Sequence, residues 1–270
     1  MTLEVLLSCM YQQDAKLVHD SRLTGNVLIV NQCDQESSWE EMTPHGQVRM
    51  LSTTQRGLTK SRNMAIRHSQ ADVCLLCDDD EIFEPEYEQA ILSAYEQLPQ
   101  ADVIIFKMKN RPASFDDRIQ RLCFPKTMKV SSWQISFRQE ALKKANVFFD
   151  EHLGAGTGNG GEEELKFLLD CQRAGLKIYY VPQVIASVAQ TESTWFHGFD
   201  ETFFENRGAT TRYILGYVLA VVYAIYYVLR KRSLYQEDIT PMRALRAIFR
   251  GIRENKISHQ VAREQELETV

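Results

Sequence analysis

Four consecutive acids, Asp78-Asp79-Asp80-Glu81, follow directly on an apolar run, Val73-Cys74-Leu75-Leu76-Cys77. Adjacent carboxylates repel one another, and a bound cation relieves that repulsion. The hard divalent ions Mg²⁺ and Mn²⁺ take carboxylate and phosphate oxygens together. Asp78 and Asp80 are one residue apart and project to the same side of an extended chain, so one can hold a metal while the other meets a ligand. A solvated acidic turn before a helix at Pro85 is the plainer use of the same residues.

A second group of acids stands far along the chain. Glu162-Glu163-Glu164 follows a loop in which five of the thirteen glycines fall between positions 154 and 161. Such a loop approaches a ligand closely and can move. A carboxylate held behind it is suited to act as a general base on a hydroxyl. Three acids opening a helix also complement the helix dipole, which needs no chemistry at all. Basic residues, Lys60 and Arg62, stand in a third stretch, Arg56-Gly57-Leu58-Thr59-Lys60-Ser61-Arg62-Asn63. Gly57 permits a tight turn, Thr59 is a fair N-cap, and a helix N-terminus carrying two basic residues attracts phosphate. An amphipathic helix with a basic exposed face is the alternative.

These residues need elements to position them. The apolar run before Asp78 reads as a central parallel strand covered on both faces. Ligands of open α/β sheets bind at the carboxyl ends of such strands, where the acids stand. Leu3–Met10 and Asn26–Val30 read as strands flanking a polar, helix-compatible stretch, the second leading into Asn31-Gln32-Cys33-Asp34. Residues 85–98 read as a packed surface helix with Pro85 in its first turn. Val103–Met108, Val130–Phe137 and Lys177–Val181 read as further strands. The stretch from Asn110 to Lys129 is irregular and can border a substrate. The helix opened by the three glutamates ends at Gly175.

Composition narrows the class. The 270 residues, 44% hydrophobic and 25% charged, suit a large soluble fold, and a net charge of −5 speaks against general nucleic-acid binding. No G-x-G-x-x-G follows the first strand, which argues against a dinucleotide. The six cysteines have no disulfide-like spacing. Cys74 and Cys77 point to opposite faces of a strand, so they read as buried thiols rather than zinc ligands. Met1-Thr2-Leu3-Glu4 shows no signal-peptide pattern, and both features point to the cytoplasm.

Taken together, Arg56–Asn63, Asp78-Asp79-Asp80, Phe149-Asp150-Glu151, Gly154-Ala155-Gly156, Gly161–Glu164 with Phe167, Gly175–Pro182 and Glu192–Phe196 resemble the inverting GT-A-fold glycosyltransferases of family two, of the bacterial surface-polysaccharide type. The resemblance spans residues 3 to about 210. It implies an α/β fold, a mixed, mostly parallel sheet flanked by helices, with a nucleotide-sugar-binding half over 1–106, an acceptor-binding half over 107–200 and a helical region over 201–270. It implies a nucleotide-diphosphate sugar donor contacted by Asn31, Gln32, Lys60, Arg62, Asp78 and Asp79. A divalent cation, Mn²⁺ or Mg²⁺, is expected on Asp80 and Asp78, and the base on Glu164, with Glu163 second. Trp133, Gly156 and Gly161 are the expected acceptor-side residues, and the acceptor a glycan or lipid-linked hydroxyl. Asn31 and Gln32 replace the usual aspartate, and His197 is the candidate for a histidine missing from Ala186-Ser187-Val188-Ala189-Gln190, a structural role being the plainer one. A non-catalytic nucleotide-sugar-binding or scaffold component is the alternative function. Nucleotidyl transfer wants a basic glycine loop after the first strand, which Ser8–Gln13 is not.

The C-terminal region adds a partner. Tyr213–Leu229 is an uncharged stretch of 17 residues, ending at Arg230-Lys231-Arg232. As a helix it is about 25 Å long, short of the roughly 30 Å hydrocarbon core. One side carries Tyr213, Gly216, Tyr217, Ala220, Tyr223, Ala224 and Tyr227, the other Ile214, Leu215, Val218, Val222, Ile225 and Leu229. One face against protein and one in lipid fits that division, a core helix being the alternative. From Thr240-Pro241, a helix sets Met242, Leu245, Ile248, Phe249 and Ile252 on one arc and Arg243, Arg246, Arg250 and Arg253 on another. A basic amphipathic helix is drawn to anionic lipid. The expectation is a monotopic enzyme on the inner face of the cell membrane.

Overall fold

The structure, a computed structural model, describes residues 1–112, 114–159, 161–188 and 198–268. His197, the Glu192–Phe196 motif and Ala189-Gln190 lie outside the described residues. The chain divides into two compact units, one of residues 1–150 and 163–191, the other of 151–162 and 192–270.

The first unit is built on strands β1 (Leu3–Met10), β2 (Asn26–Gln32), β3 (Ser37–Thr43), β4 (Gly46–Thr53), β5 (Val73–Asp78), β6 (Glu81–Phe83), β7 (Val103–Met108), β8 (Gln120–Leu122), β9 (Ile135–Arg138) and β10 (Ile178–Val188). They form one sheet in the order β3-β4-β2-β1-β5-β9-β7-β10-β6, with β8 beside β10. The run β4-β2-β1-β5 is parallel, and β3, β9, β6 and β8 are antiparallel additions. Helices α1 (Lys16–Asp20), α2 (Leu58–His68), α3 (Tyr87–Gln97), α4 (Gln139–Ala145) and α5 (Glu163–Arg173) cover it.

Strand alternation splits the apolar side chains between two cores. Val73, Leu75 and Cys77 of β5 face one core with Tyr87, Ile91 and Tyr95 of α3, whereas Cys74 and Leu76 face the other with Ile66 of α2 and Phe167 of α5. The two cysteines thus point apart, as their spacing requires, and all six are free thiols.

Several boundaries differ from the sequence pattern. The hairpin β3–β4 carries no strong apolar run on its outer strand, which is mostly exposed, and periodicity misses it. Val130–Phe137 is a strand only from Ile135, because Ser131 and Gln134 form a reciprocal capping box that turns the chain at Ser132–Gln134. Residue 58, not Thr59, opens α2, and the cap position is Gly57 at φ 127°. Pro85 and Glu86, the latter at φ 61°, stand outside α3, which starts at Tyr87.

The second unit comprises the glycine loop 151–162 and helices α6 (Glu201–Arg230), α7 (Arg232–Tyr235), α8 (Pro241–Glu254) and α9 (Lys256–Glu268). Asp200 caps α6, accepting from the Phe203 N–H at 2.7 Å. Thr240 caps α8, with Pro241 in its first turn. Helices α6 and α8 meet through glycine at both sides. A Cβ on Gly251 would lie 2.0 Å from the Glu205 carbonyl oxygen, and one on Gly208 would lie 2.2 Å from that of Ile248. The packed face of α8 is therefore Ala244, Ala247, Ile248, Gly251 and Ile252, while Met242 and Phe249 of the expected arc are exposed.

By length and composition α6 can cross a membrane, although Gly216 interrupts it at φ 80° and ψ 174°. Beyond that break Ala220, Ala224 and Tyr227 are buried, and Val218, Val222, Ile225 and Leu229 are exposed. The small-and-tyrosine side packs on protein and the aliphatic side faces outward, as the pattern suggested. Two residues change sides: Ile214 is buried and Tyr217 exposed, because the break at Gly216 resets the helical phase.

Candidate active site

Strand β5 delivers Asp78 to the carboxyl edge of the parallel strands, beside Ser8 of β1, and the acidic turn follows at once. From the other direction α5 starts at Glu163, so its first turn presents Glu163 and Glu164. One residue of α2 connects the two groups. Arg62, only 1% exposed, donates to Asp78 Oδ1 at 2.9 Å and Oδ2 at 3.2 Å, and its other terminal nitrogen lies 3.4 Å from Glu163 Oε1. Its guanidinium also lies over the Phe149 ring, 5.4 Å from the centroid.

Burial alone would favour loss of the Arg62 proton. The charges of Asp78, Glu163 and Glu164 more than offset this and hold its pKa above the ordinary value. Asp78, Glu163 and Glu164 therefore share one electrostatic neighbourhood. The sequence suggested that Arg62 belongs to a phosphate-attracting helix end; it turns inward instead, and half-buried Lys60 is the cation of that turn with no hydrogen-bond or ion-pair partner among the described residues.

The surrounding contacts explain the residue types of the motifs. Asn63 donates to the Phe149 carbonyl at 2.9 Å and accepts from its N–H at 2.8 Å. Phe149 stacks on Phe167 of α5, with ring centroids 4.3 Å apart. Ser61 donates to Ser8 at 2.8 Å. Helix α2 is thereby fastened to both acid groups at once.

Within the acidic turn the four carboxyls differ. Asp78 also accepts from the Ser132 hydroxyl at 3.2 Å, next to Trp133. Glu81, 1% exposed, accepts from the Asp78 N–H at 2.8 Å, and burial, then repulsion from Asp78, raises its pKa well above the carboxylate range. Its hydrogen bond to the Asp78 N–H fixes the turn. Partial burial, then the charge of Asp78, raises Asp79. Asp80 is raised by partial burial, then by Asp78 and Asp79, against a small opposing effect of Arg111. A hydrogen bond from its own backbone N–H also works against that rise.

The mutual repulsion of Asp78, Asp79 and Asp80, which raises the latter two, fits a divalent cation. No group of three or more His, Cys, Asp or Glu side chains suited to a metal ion occurs among the described residues. A cation here would complete its shell from phosphate oxygens and water, as Mg²⁺ commonly does.

Asn31 and Gln32 are buried and their amides are committed. Asn31 pairs with the backbone of Gln12 in both directions, at 2.9 and 2.7 Å, and Gln32 accepts from the Gly57 N–H at 2.7 Å. The outward groups at this edge are Tyr11, Asp34 and Arg56, with Arg56 paired to Asp34 at 2.7 Å and lying over the Tyr11 ring. Sequence reading passed over Tyr11, which sits at φ 54° just after β1; only that position signals it. Trp133 is half-buried with the Arg111 guanidinium 5.3 Å from its ring centroid. Gly156 and Gly161 are exposed glycine-loop positions.

A family model, Glycosyl transferase family 2, matches residues 4–157, more than half of the chain. The chain belongs to glycosyl transferase family 2. An uncharacterized glycosyltransferase of Haemophilus influenzae is 33% identical over 84 residues, and the match spans 31% of this chain and only 29% of that relative's length. The family-2 chain is also similar to S. aureus TarS 1-349 in complex with UDP-GlcNAc, with TM-score 0.60 and 15% identity, covering 88% of this chain and 74% of that one. The mannosyltransferase PcManGT from Pyrobaculum calidifontis, in complex with GDP-Man and Mn²⁺, aligns with TM-score 0.51 and 12% identity over 100% of this chain and 81% of that one. At such identities the likeness establishes the fold, a mixed α/β GT-A architecture, and family membership supports a role in glycosyl transfer.

Proposed function

We propose that this family-2 protein moves a sugar from a nucleotide-diphosphate donor to an acceptor hydroxyl with inversion at the anomeric carbon. The observation that carries the reading is the Arg62 bridge, which brings Asp78 and Glu163 of the two acid motifs onto one buried guanidinium. Glu164, half-buried beside that bridge, is the base: its carboxylate takes the acceptor O–H proton as the oxygen attacks the anomeric carbon and the bond to the diphosphate breaks. Glu163 is the second candidate, but its pairing with Arg62 fits it better to hold that guanidinium in place. Asp80, with Asp78, would hold a divalent cation. When bound, that cation offsets charge on the leaving diphosphate. Lys60 adds a positive charge at the start of α2 for the same phosphates. Tyr11 and Arg56 offer a flat face for the nucleobase, with Asn31 and Gln32 shaping the edge behind it. Trp133 lies toward the acceptor.

The protein attaches to the membrane surface through the second unit, where the outer face of α6 is aliphatic and the α6–α7 junction is basic. Two of the four α8 arginines are partly neutralised within that unit, Arg243 by Glu201 at 2.8 Å and Arg250 by Glu205. Attachment on this reading depends more on apolar surface than on charge. A glycan or lipid-linked alcohol is then the acceptor.

Thermal shift against a panel of nucleotide sugars, with and without Mn²⁺, tests the assignment. D80A is expected to abolish the metal-dependent part of the shift. E164Q is expected to leave binding intact and stop both transfer and the slow hydrolysis of donor. Full turnover by E164Q sinks the assignment of the base.

A further inference from the structure

We infer that a cleft between α6 and α8 binds the phosphate headgroup of a membrane lipid; this rests on the membrane attachment proposed above and names its partner. The cleft has a volume of about 400 Å³ and is lined by Tyr217, Arg246, Phe249, Arg250, Ile252 and Arg253. All six belong to the second unit. Its chemistry is divided. Tyr217, Phe249 and Ile252 give an apolar floor, and three guanidinium groups stand around it. Arg250 is occupied by Glu205. Arg246 and Arg253 are exposed and have no hydrogen-bond or ion-pair partner among the described residues. Two uncompensated guanidinium groups beside an apolar floor are complementary to an anion that carries a hydrocarbon tail. Guanidinium forks match phosphate oxygens in particular.

The backbone break at Gly216 gives the cleft its shape. A continuous helix would turn Tyr217 toward the protein with Ala220 and Ala224; the conformation at φ 80° and ψ 174° sends it outward to the cleft instead. That conformation is open to glycine and costly for residues with a Cβ. The exposed stripe Val218, Val222, Ile225 and Leu229 continues along the same helix, so a lipid whose headgroup fills the cleft finds apolar surface for its chains.

The test uses the full chain in flotation with vesicles of phosphatidylcholine alone, and with phosphatidylglycerol or phosphatidic acid added to equal surface charge. Phosphatidic acid, a phosphomonoester with more charge on one headgroup, is expected to bind best. R246Q/R253Q is expected to lose about thirtyfold on phosphatidic acid, from two basic residues near an anionic surface. It should lose the preference over phosphatidylglycerol and keep its partition onto phosphatidylcholine. An unchanged preference in R246Q/R253Q overturns the headgroup site while leaving membrane attachment standing. A parent that floats with none of the vesicles overturns both. Inorganic phosphate binding as tightly as the lipid assigns the cleft to a soluble ligand and overturns the inference. So does a dimer in sedimentation velocity that V222D dissociates, because the apolar stripe then belongs to a second copy.

Discussion

Replacing Arg62 by Met keeps most of the side-chain volume and removes the charge that Asp78 and Glu163 share. Both carboxylates are largely shielded, with side-chain exposures of 23% and 7%, and the guanidinium is at 2%. Removing one partner of a buried ion pair costs about 3–5 kcal/mol, because the charge left behind is neither solvated nor paired. For a chain with an m-value of about 3 kcal/mol per molar urea, that moves the unfolding midpoint down by roughly 1–1.7 M. R62K retains the charge but not the fork that reaches both carboxylates, and about half the loss is expected. The decisive measurement is a double-mutant cycle between R62M and D78N, by urea unfolding followed by tryptophan fluorescence. Coupling of about 2 kcal/mol is expected for groups in direct contact. If the two losses add to within about 0.5 kcal/mol, Arg62 does not bind the acid groups together, and the case for one shared site fails.

The crossing of α6 and α8 leaves no space at Gly251, so G251A is expected to destabilise the second unit by at least about 2 kcal/mol, seen as faster proteolysis in α6 and α8, while donor-induced thermal shifts persist. A thiol reagent at mildly alkaline pH is expected to label exposed Cys123 first. Cys9 and Cys74, whose pKa burial pushes up to about 12, Cys171, raised further, and Cys77 should react only on unfolding; early labelling of any of the four contradicts the packing. Arg207 holds Glu162, the residue before Glu163, at 2.9 Å and Tyr223 at 2.8 Å, and Glu162 sits in the left-handed region at φ 67°. R207A is expected to lower kcat about tenfold or more with little change in donor KM, and R207K to recover part of it; a pure KM effect refutes the positioning role.

The pattern of apolar runs located β1 and β7 to the residue and β5 to within one, because a strand buried on both faces leaves an uninterrupted signature. The two acid motifs were equally visible, since runs of like charge are rare without a reason. The partner that joins them was not. Arg62 looks like any basic residue on an amphipathic helix, and only the fold shows that its side chain enters the interior. Asn31 and Gln32 illustrate the reverse case: their position at a strand end suggests ligand contact, but short amides are also the best fasteners for nearby loop backbone. The close approach of α6 and α8 at Gly208 and Gly251 was hidden because it depends on residues more than forty positions apart.

The loop 151–162 departs from the β-sheet unit and returns to it, yet it is also tied to the C-terminal helices: His152 reaches Glu264 at 2.8 Å and Asn159 lies 3.5 Å from Gln260. A chain shortened after Arg207 therefore loses more than a candidate membrane anchor. It also strips the segment preceding Glu163 of Tyr223, Gln260 and Glu264, so such a fragment would fall silent in an assay even with every residue of the acidic turn intact. Single changes on the outward side of α6, such as V222D, separate attachment from turnover where shortening cannot. The same wiring binds the inheritance of the two parts, because exchanging the last helices with those of a relative also exchanges the supports of the loop that precedes the proposed base in sequence.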